Sequence, residues 1–138
     1  MRHKYEFYKK LIRCVSVSVV APILVFPGIA DAFSGYGGGS QSNPNMISSC
    51  SQLESISNNL TAYYELASSV DCTGFSFTPI NNFSGTLNGN NHTINNLSSN
   101  GFGLFESTNG ATIENLNLIN AKISGSTNDY VGALDGTT

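Results

Sequence analysis

The chain has 138 residues, of which 11% are charged, and a formal net charge of −3 at pH 7, a length that allows one modest domain or part of a larger one. Five of the six Lys and Arg residues lie in the first thirteen positions, so that the chain after position 32 holds one basic residue, Lys122, against seven acidic ones. Because a polyphosphate backbone binds to a basic surface, this balance excludes nucleic acid as an expected partner.

The start of the chain, up to Ala32, has the features of a secretory signal peptide. A basic start is followed by an uncharged stretch over positions 14–30, and the stretch ends in the small-x-small sequence Ala30-Asp31-Ala32. Two prolines and a glycine interrupt the apolar run, which is shorter than the roughly 20 residues of a transmembrane helix. We therefore predict export, cleavage after Ala32, and a secreted, periplasmic or cell-surface mature chain without a transmembrane span.

A linker and a short helix are predicted next. Residues 33–45 are rich in Gly, Ser and Asn, and we interpret them as a flexible linker before the folded part, which starts near Met46. Ser51 and Glu54 have the spacing of a capping box, which predicts an amphipathic helix at residues 51–60. Its apolar side chains, three and four positions apart, are Leu53, Ile56 and Leu60. We expect this helix to cover one end of the fold.

Two cysteines, Cys50 and Cys72, remain after the predicted cleavage. An even number of cysteines in an oxidising compartment predicts that they form a disulfide. A zinc site is the alternative, but two thiols 22 positions apart without a nearby histidine lack the spacing of zinc ligands. We thus expect no metal and no cofactor, and we interpret residues 46–72 as the capping helix and the first strand.

An internal repeat dominates the second half of the chain. The sequence TINNL at residues 93–97 recurs nineteen residues later as TIENL at residues 112–116. Side chains of a strand alternate between its two faces, so two inward residues three positions apart, Ile113 and Leu116, require a bend between them. Asparagine tolerates the left-handed conformation, and bends are therefore predicted at Asn96, Asn115 and Asn120.

A period near twenty, short strands and few charges together predict a solenoid of coiled strands. In such a stack, apolar columns fill the interior, and Asn side chains in successive turns form hydrogen bonds. A β-sandwich with an accidental repeat is the alternative, although the strands of a sandwich favour more closely spaced turn signals.

The same region resembles bacterial surface proteins with GLUG motifs, a group of adhesin-like right-handed parallel β-helix proteins. Residues 83–94 (FSGTLNGNNHTI) are similar to the opening pattern F-x-G-T-L-[DN]-G-x-x-H-x-I, and residues 103–105 (GLF) continue it. Residues 130–134 (YVGAL) resemble the start of a GLUG unit, with departures from the pattern at Glu106 and Asp135. The resemblance implies an all-β right-handed parallel β-helix, whose turns occupy residues 73–138 and end in an incomplete GLUG-like unit, so that the chain is expected to be truncated.

No group of residues has the pattern of a catalytic centre. His92 has no partner Cys or acid at a defined spacing and is interpreted as a turn residue. A carboxylate pair for glycoside chemistry is conceivable, but solvated turn positions account for the four candidates. They are Glu106, Glu114, Asp129 and Asp135.

We therefore expect no enzyme but an adhesin-like binding or structural protein, with a cell-surface glycan or protein as its partner. The alternative is the amino-terminal part of an extracellular polysaccharide-active or proteolytic enzyme whose catalytic residues lie beyond residue 138.

Overall fold

The computed structural model describes residues 37–125 and 132–136. The predicted signal peptide, with its cleavage site after Ala32, and Asp129 lie outside the described residues. The described part contains ten short strands, one α-helix and one 3-10 helix. In chain order the elements are β1 (Asn45–Ile47), α1 (Cys50–Glu54), the 3-10 helix Ser55–Asn58, β2 (Tyr63–Leu66), β3 (Val70–Asp71), β4 (Ser76–Phe77), β5 (Thr86–Asn88), β6 (Thr93–Asn95), β7 (Ser98–Asn100), β8 (Thr112–Glu114), β9 (Asn117–Ile119) and β10 (Lys122–Ser124).

The strands form three parallel sheets. Sheet A has the order β1-β2-β5-β8, sheet B the order β3-β6-β9 and sheet C the order β4-β7-β10. From β2 onward the chain visits sheets A, B and C in turn and then returns to sheet A, so that it completes three coils. Each strand of the second coil pairs with the corresponding strand of the first coil and with that of the third. The prediction of an all-β fold is confirmed, and the parallel pairing is that of stacked coils.

Columns of apolar side chains fill the space between the sheets. In sheet A, Leu87 lies in register between Tyr64 and Ile113, and in sheet B, Ile94 lies in register with Val70. The first two coils bury these side chains almost completely, whereas Ile113 of the third coil is half-buried. Burial alternates along each strand, so the residues between the inward ones face outward.

Three asparagines bend the chain at the corners between sheets, as predicted. Asn96, Asn115 and Asn120 have φ values of 57°, 51° and 55°. Each of them directly follows a strand, and a single residue separates it from the next strand. A left-handed residue at the corner turns the chain sharply enough for the side chains on both sides to point inward.

The nineteen-residue repeat is not the period of the stack. Its first copy contains β6 (Thr93–Asn95), which lies in sheet B, and its second copy contains β8 (Thr112–Glu114), which lies in sheet A. Thr112 pairs with Thr86 and not with Thr93, its equivalent in the repeat. The repeated sequence is therefore a corner that the chain uses twice at different places, with an inward residue, a left-handed Asn and another inward residue in each copy.

The helix at the amino-terminal end begins earlier than predicted and has a different cap. Ser49 is the N-cap, and its Oγ accepts a hydrogen bond from the backbone N–H of Gln52 at 3.3 Å. The predicted capping box of Ser51 with Glu54 is wrong, since the Glu54 Oε1 atom accepts a hydrogen bond from the backbone N–H of Thr78 at 2.7 Å. The carboxylate thus connects the helix to the end of the first coil.

The buried face of this helical segment packs into the apolar interior. Leu53 and Ile56 are fully buried, and they belong to the same cluster as the columns of the sheets. Cys50 and Cys72 form a disulfide, as predicted, which joins the start of the helix to the residue after β3. The described residues contain no helix that is long and apolar enough to cross a membrane.

Residues 37–44, within the predicted linker, form a hydrogen-bonded turn beside sheet A. The backbone N–H of Gly38 donates to the carbonyl oxygen of Asn43 at 3.0 Å, and that of Tyr63 donates to the carbonyl oxygen of Gly39 at 3.0 Å. β1 starts directly after this turn, at Asn45. The turn is consequently held next to the first residue of β2.

Candidate functional site

A groove of about 190 Å³ lies on the outer face of sheet A. We call it the sheet A groove. It is smaller than the roughly 300 Å³ at which pockets for drug-sized ligands begin, so it suits a small group rather than a large molecule. Its lining consists of Gln41, Pro44, Tyr63, Tyr64, Glu65, Thr86, Asn88 and Glu114.

The register of sheet A places the polar side chains of the groove in a row. Glu65 of β2 pairs with Asn88 of β5, and Asn88 pairs with Glu114 of β8. Neighbouring strands of a sheet are about 4.8 Å apart, which sets the step of this row. Tyr63 and Thr86, two positions earlier on their strands, pair with each other and lie on the same face. Residues far apart in sequence thus share one surface.

The turn over residues 37–44 forms one wall of the groove. Gln41 and Pro44 come from this turn. The hydrogen bond from the backbone N–H of Tyr63 to Gly39 fixes the turn against β2. The aromatic ring of Tyr63 is half-buried there and is the only ring that an outward position contributes among the described residues of the groove.

Asn88 is held in place by its neighbours. Its Oδ1 atom accepts hydrogen bonds from the backbone N–H of Asn90 at 2.9 Å and from Nδ2 of Asn115 at 3.2 Å. These two bonds occupy the acceptor side of the amide. The donor group, Nδ2, is the part of Asn88 that is left to contact a ligand.

The groove is acidic. The half-buried Glu65 and the exposed Glu114 lie on either side of Asn88 in the row. None of the described residues that line the groove is basic, and Lys122 lies on β10 in sheet C. An anionic ligand would therefore be repelled, because its charge has the same sign as that of the two carboxylates, which raises its free energy of binding.

A second polar cluster connects two coils along sheet B. The Oδ1 atom of Asp71 accepts hydrogen bonds from Nδ2 of Asn96 at 3.0 Å, from Oγ1 of Thr73 at 2.7 Å and from the backbone N–H of Thr73 at 3.0 Å. These bonds, that of Asn96 first, hold the pKa of Asp71 below its ordinary value, since each of them stabilises the charged form. The hydrogen bonds of this cluster all run between its own residues and join two coils, so we assign the cluster a structural role.

His92 is the last residue of a turn in which Asn90 and Asn91 both have positive φ, and its backbone N–H donates to the carbonyl oxygen of Gly89 at 2.7 Å. This is the turn position that the sequence predicted for it.

The three acidic candidates that lie within the described residues do not converge on one site. Asp135 pairs with Phe105, next to Glu106, and accepts a hydrogen bond from Oγ1 of Thr108 at 2.7 Å. Glu114 lies apart from them in the sheet A groove. Within residues 37–125 and 132–136, no group of three or more His, Cys, Asp or Glu side chains could hold a metal ion.

Sequence reasoning missed the groove, although part of its signal was present. The alternation around Tyr64 and Leu87 places Tyr63, Glu65 and Asn88 outward. No local pattern predicts the pairing of β2 with β5, so the sequence does not indicate that these residues are neighbours.

Residues 41–138 match the family described as the M26 IgA1-specific metallo-endopeptidase N-terminal region. The chain belongs to this family. The prediction that it is not an enzyme is therefore wrong as a classification, because the family is one of metallo-endopeptidases, here represented by its N-terminal region. The predicted lack of a metal and of a cofactor stays a prediction.

The chain is also similar to Halomucin of Haloquadratum walsbyi, with 37% identity over 120 residues. The similarity covers 73% of this chain but only 1% of Halomucin. The chain thus spans a very small part of the length of that relative. No solved structure is significantly similar to the chain.

Proposed function

We propose that the chain is the adhesin-like binding module of a secreted or cell-surface protein of the M26 metallo-endopeptidase family. One observation carries this proposal: three stacked coils bury their apolar columns and present polar rows on the outside. A stack of this kind keeps many hydrogen-bonding side chains at fixed intervals on a rigid surface.

We further propose that the coils form a right-handed parallel β-helix with a GLUG-like unit. Crossovers between parallel strands of one sheet are right-handed in nearly all proteins. Hydrogen bonds to residues 132–136, which follow the third coil, support the GLUG-like unit. The backbone N–H of Leu104 donates to the carbonyl oxygen of Ala133 at 3.0 Å, and that of Phe105 donates to the carbonyl oxygen of Leu134 at 2.8 Å. The GAL sequence of residues 132–134 thereby stacks on the GLF sequence of residues 103–105.

Export is supported by the disulfide as well as by the basic and apolar start of the chain. Disulfides persist in oxidising compartments and are rare in the cytoplasm. The bond between Cys50 and Cys72 closes the capped end, which is the part of the fold that a reducing compartment would loosen.

The binding role follows from the outer face of the stack. Its amides, hydroxyls and carboxylates suit repeated weak contacts with a cell-surface glycan or protein, which multivalent presentation strengthens. In the whole protein, such contacts would hold the molecule on a surface from which an extracellular peptidase of this family could reach its substrate. This joins the binding role to the family to which the chain belongs.

Export and attachment can be tested on the full protein in its own host. We expect a mature chain that begins at Phe33, that surface labelling of intact cells reaches, and that binds to isolated cell-surface material. A protein that retains Met1 and stays inside the cell would contradict the proposed function.

A further inference from the structure

We propose that the sheet A groove binds a neutral saccharide chain, with the ring of Tyr63 against one sugar ring and the row Glu65, Asn88 and Glu114 against hydroxyl groups. This inference rests on the proposed binding function and names the ligand class and the site. The groove is the place where an aromatic ring, two carboxylates and two amides meet on one outer face.

The shape of the groove suits a sugar. Its volume of about 190 Å³ accommodates a small ring, and the half-buried Tyr63 contributes an aromatic ring to its lining. Aromatic rings with polar surroundings bind groups that are apolar on one face and wet at the edge, as sugar rings are. The step of about 4.8 Å between neighbouring strands is close to the length of a hexose unit, so successive residues of the row can contact successive units.

The hydrogen-bonding groups of the groove match those of hydroxyl groups. A sugar hydroxyl both donates and accepts. Glu65 and Glu114 accept from such groups, and Nδ2 of Asn88 donates, since its Oδ1 atom is already occupied by Asn90 and Asn115. Gln41 on the turn and Thr86 on β5 can each both donate and accept a hydrogen bond.

The charge of the groove narrows the class of ligand. Two carboxylates and no basic side chain among the residues that line it disfavour uronic-acid, sulfated and other anionic glycans. A cationic peptide would pair with the two carboxylates, so polylysine serves as the competitor that tests this rival ligand.

A peptide strand cannot extend sheet A within the groove either. The groove lies on the face of paired strands, whereas strand addition uses a free sheet edge. The charge of the groove and its position on a sheet face thus favour a neutral saccharide over an anionic glycan and over an added strand.

Four variants of the full exported protein test this inference. Tyr63→Leu removes the ring, Tyr63→Phe keeps it, and Glu114→Gln removes one exposed carboxylate of the row. Glu106→Gln is the matched control, because Glu106 is a partly exposed carboxylate outside the groove. The probes are linear hexasaccharides of glucose, xylose and N-acetylglucosamine, with polygalacturonate and polylysine as charged competitors. Thermal unfolding of each variant shows that it is folded.

We expect weak, salt-insensitive binding of at least one neutral hexasaccharide. Tyr63→Leu should weaken it about five- to tenfold, which corresponds to the free energy of about 1 kcal/mol of a ring contact. Glu114→Gln should weaken it to a similar extent, and Tyr63→Phe and Glu106→Gln should bind like the parent. Polygalacturonate should not bind.

The inference is overturned if no neutral hexasaccharide binds, if Tyr63→Leu and Glu114→Gln both bind like the parent, or if polylysine alone binds in a salt-sensitive way. In each of these cases, attachment of the parent protein to cell-surface material would leave the proposed function intact. Loss of export or of surface attachment in the parent would instead contradict the proposed function itself.

Discussion

Asn96 donates a hydrogen bond from its Nδ2 atom to Oδ1 of Asp71 at 3.0 Å, although the two residues are 25 positions apart in the chain. The bond joins the first coil to the second beside the corner that Asn96 makes with its φ of 57°. One residue thus bends the backbone and ties two coils together.

This bond predicts a pH dependence of stability. The pKa of Asp71 is lower in the folded protein than its ordinary value of 3.8, so its carboxylate stabilises the fold at pH values above its unfolded pKa. The contribution is lost as the pH falls through the folded-state pKa. Asn96→Gly keeps the left-handed corner but removes the amide, and we expect the pKa of Asp71 to rise when it is followed by carboxyl-carbon NMR.

Asn120→Gly is the control for this titration, because Asn120 is also a left-handed corner. The pKa of Asp71 should stay unchanged in that variant. The same pKa in the parent and in Asn96→Gly would show that the amide does not hold the carboxylate.

The left-handed corners predict a preference for glycine over alanine. At Asn120, whose side chain is exposed and whose φ is 55°, Asn120→Ala should lower the free energy of unfolding by about 1 kcal/mol, because alanine keeps the strained Cβ but lacks the polar side chain with which asparagine tolerates this conformation. Asn120→Gly should cost clearly less than that. Urea unfolding of both variants measures the difference, and equal stability would contradict a left-handed corner.

The cap predicts that its buried face tolerates no charge. Leu53 is fully buried in the proposed cap, and Leu53→Asp should lower the free energy of unfolding by at least about 3 kcal/mol through lost packing and a buried carboxylate. Asn58→Asp, at an exposed position of the same helical segment, is the control and should have little effect. A Leu53→Asp protein with the melting temperature of the parent would show that this helix covers nothing.

The disulfide predicts a linked peptide pair and a loss of stability when it is removed. Non-reducing peptide mapping of the exported protein should find Cys50 joined to Cys72. The double variant Cys50→Ser and Cys72→Ser should be less stable by about 3 kcal/mol, because the unfolded chain gains freedom. Two free thiols in the exported protein would refute the pairing.

Local features of the fold could be predicted from the sequence, since they depend on neighbouring residues alone. The bends at Asn96 and Asn115 follow from the tolerance of asparagine for positive φ. The N-cap was missed because three serines lie close together in this segment. Ser49 is the N-cap. The carboxylate of Glu54 instead accepts a hydrogen bond from the backbone N–H of Thr78, a residue 24 positions away.

The stacking and the groove depend on how many residues each coil contains, which no local pattern states. One coil runs from Tyr63 to its partner Thr86, and the next, which is longer, runs from Thr86 to Thr112. The nineteen-residue repeat is shorter than either coil and marks two different corners. Glu65 and Glu114 become neighbours of Asn88 only through this long-range register.

The central claim, a stack of coils with this register, is tested most directly by engineered cysteine pairs in the exported protein. Thr86 and Thr112 pair on neighbouring strands of sheet A, and the strand spacing of about 4.8 Å lies within the reach of a disulfide. We predict that Thr86→Cys combined with Thr112→Cys forms an intramolecular disulfide on mild oxidation. Thr93→Cys with Thr112→Cys, which joins the two copies of the nineteen-residue repeat, should not. The reverse result in non-reducing peptide maps would contradict the account.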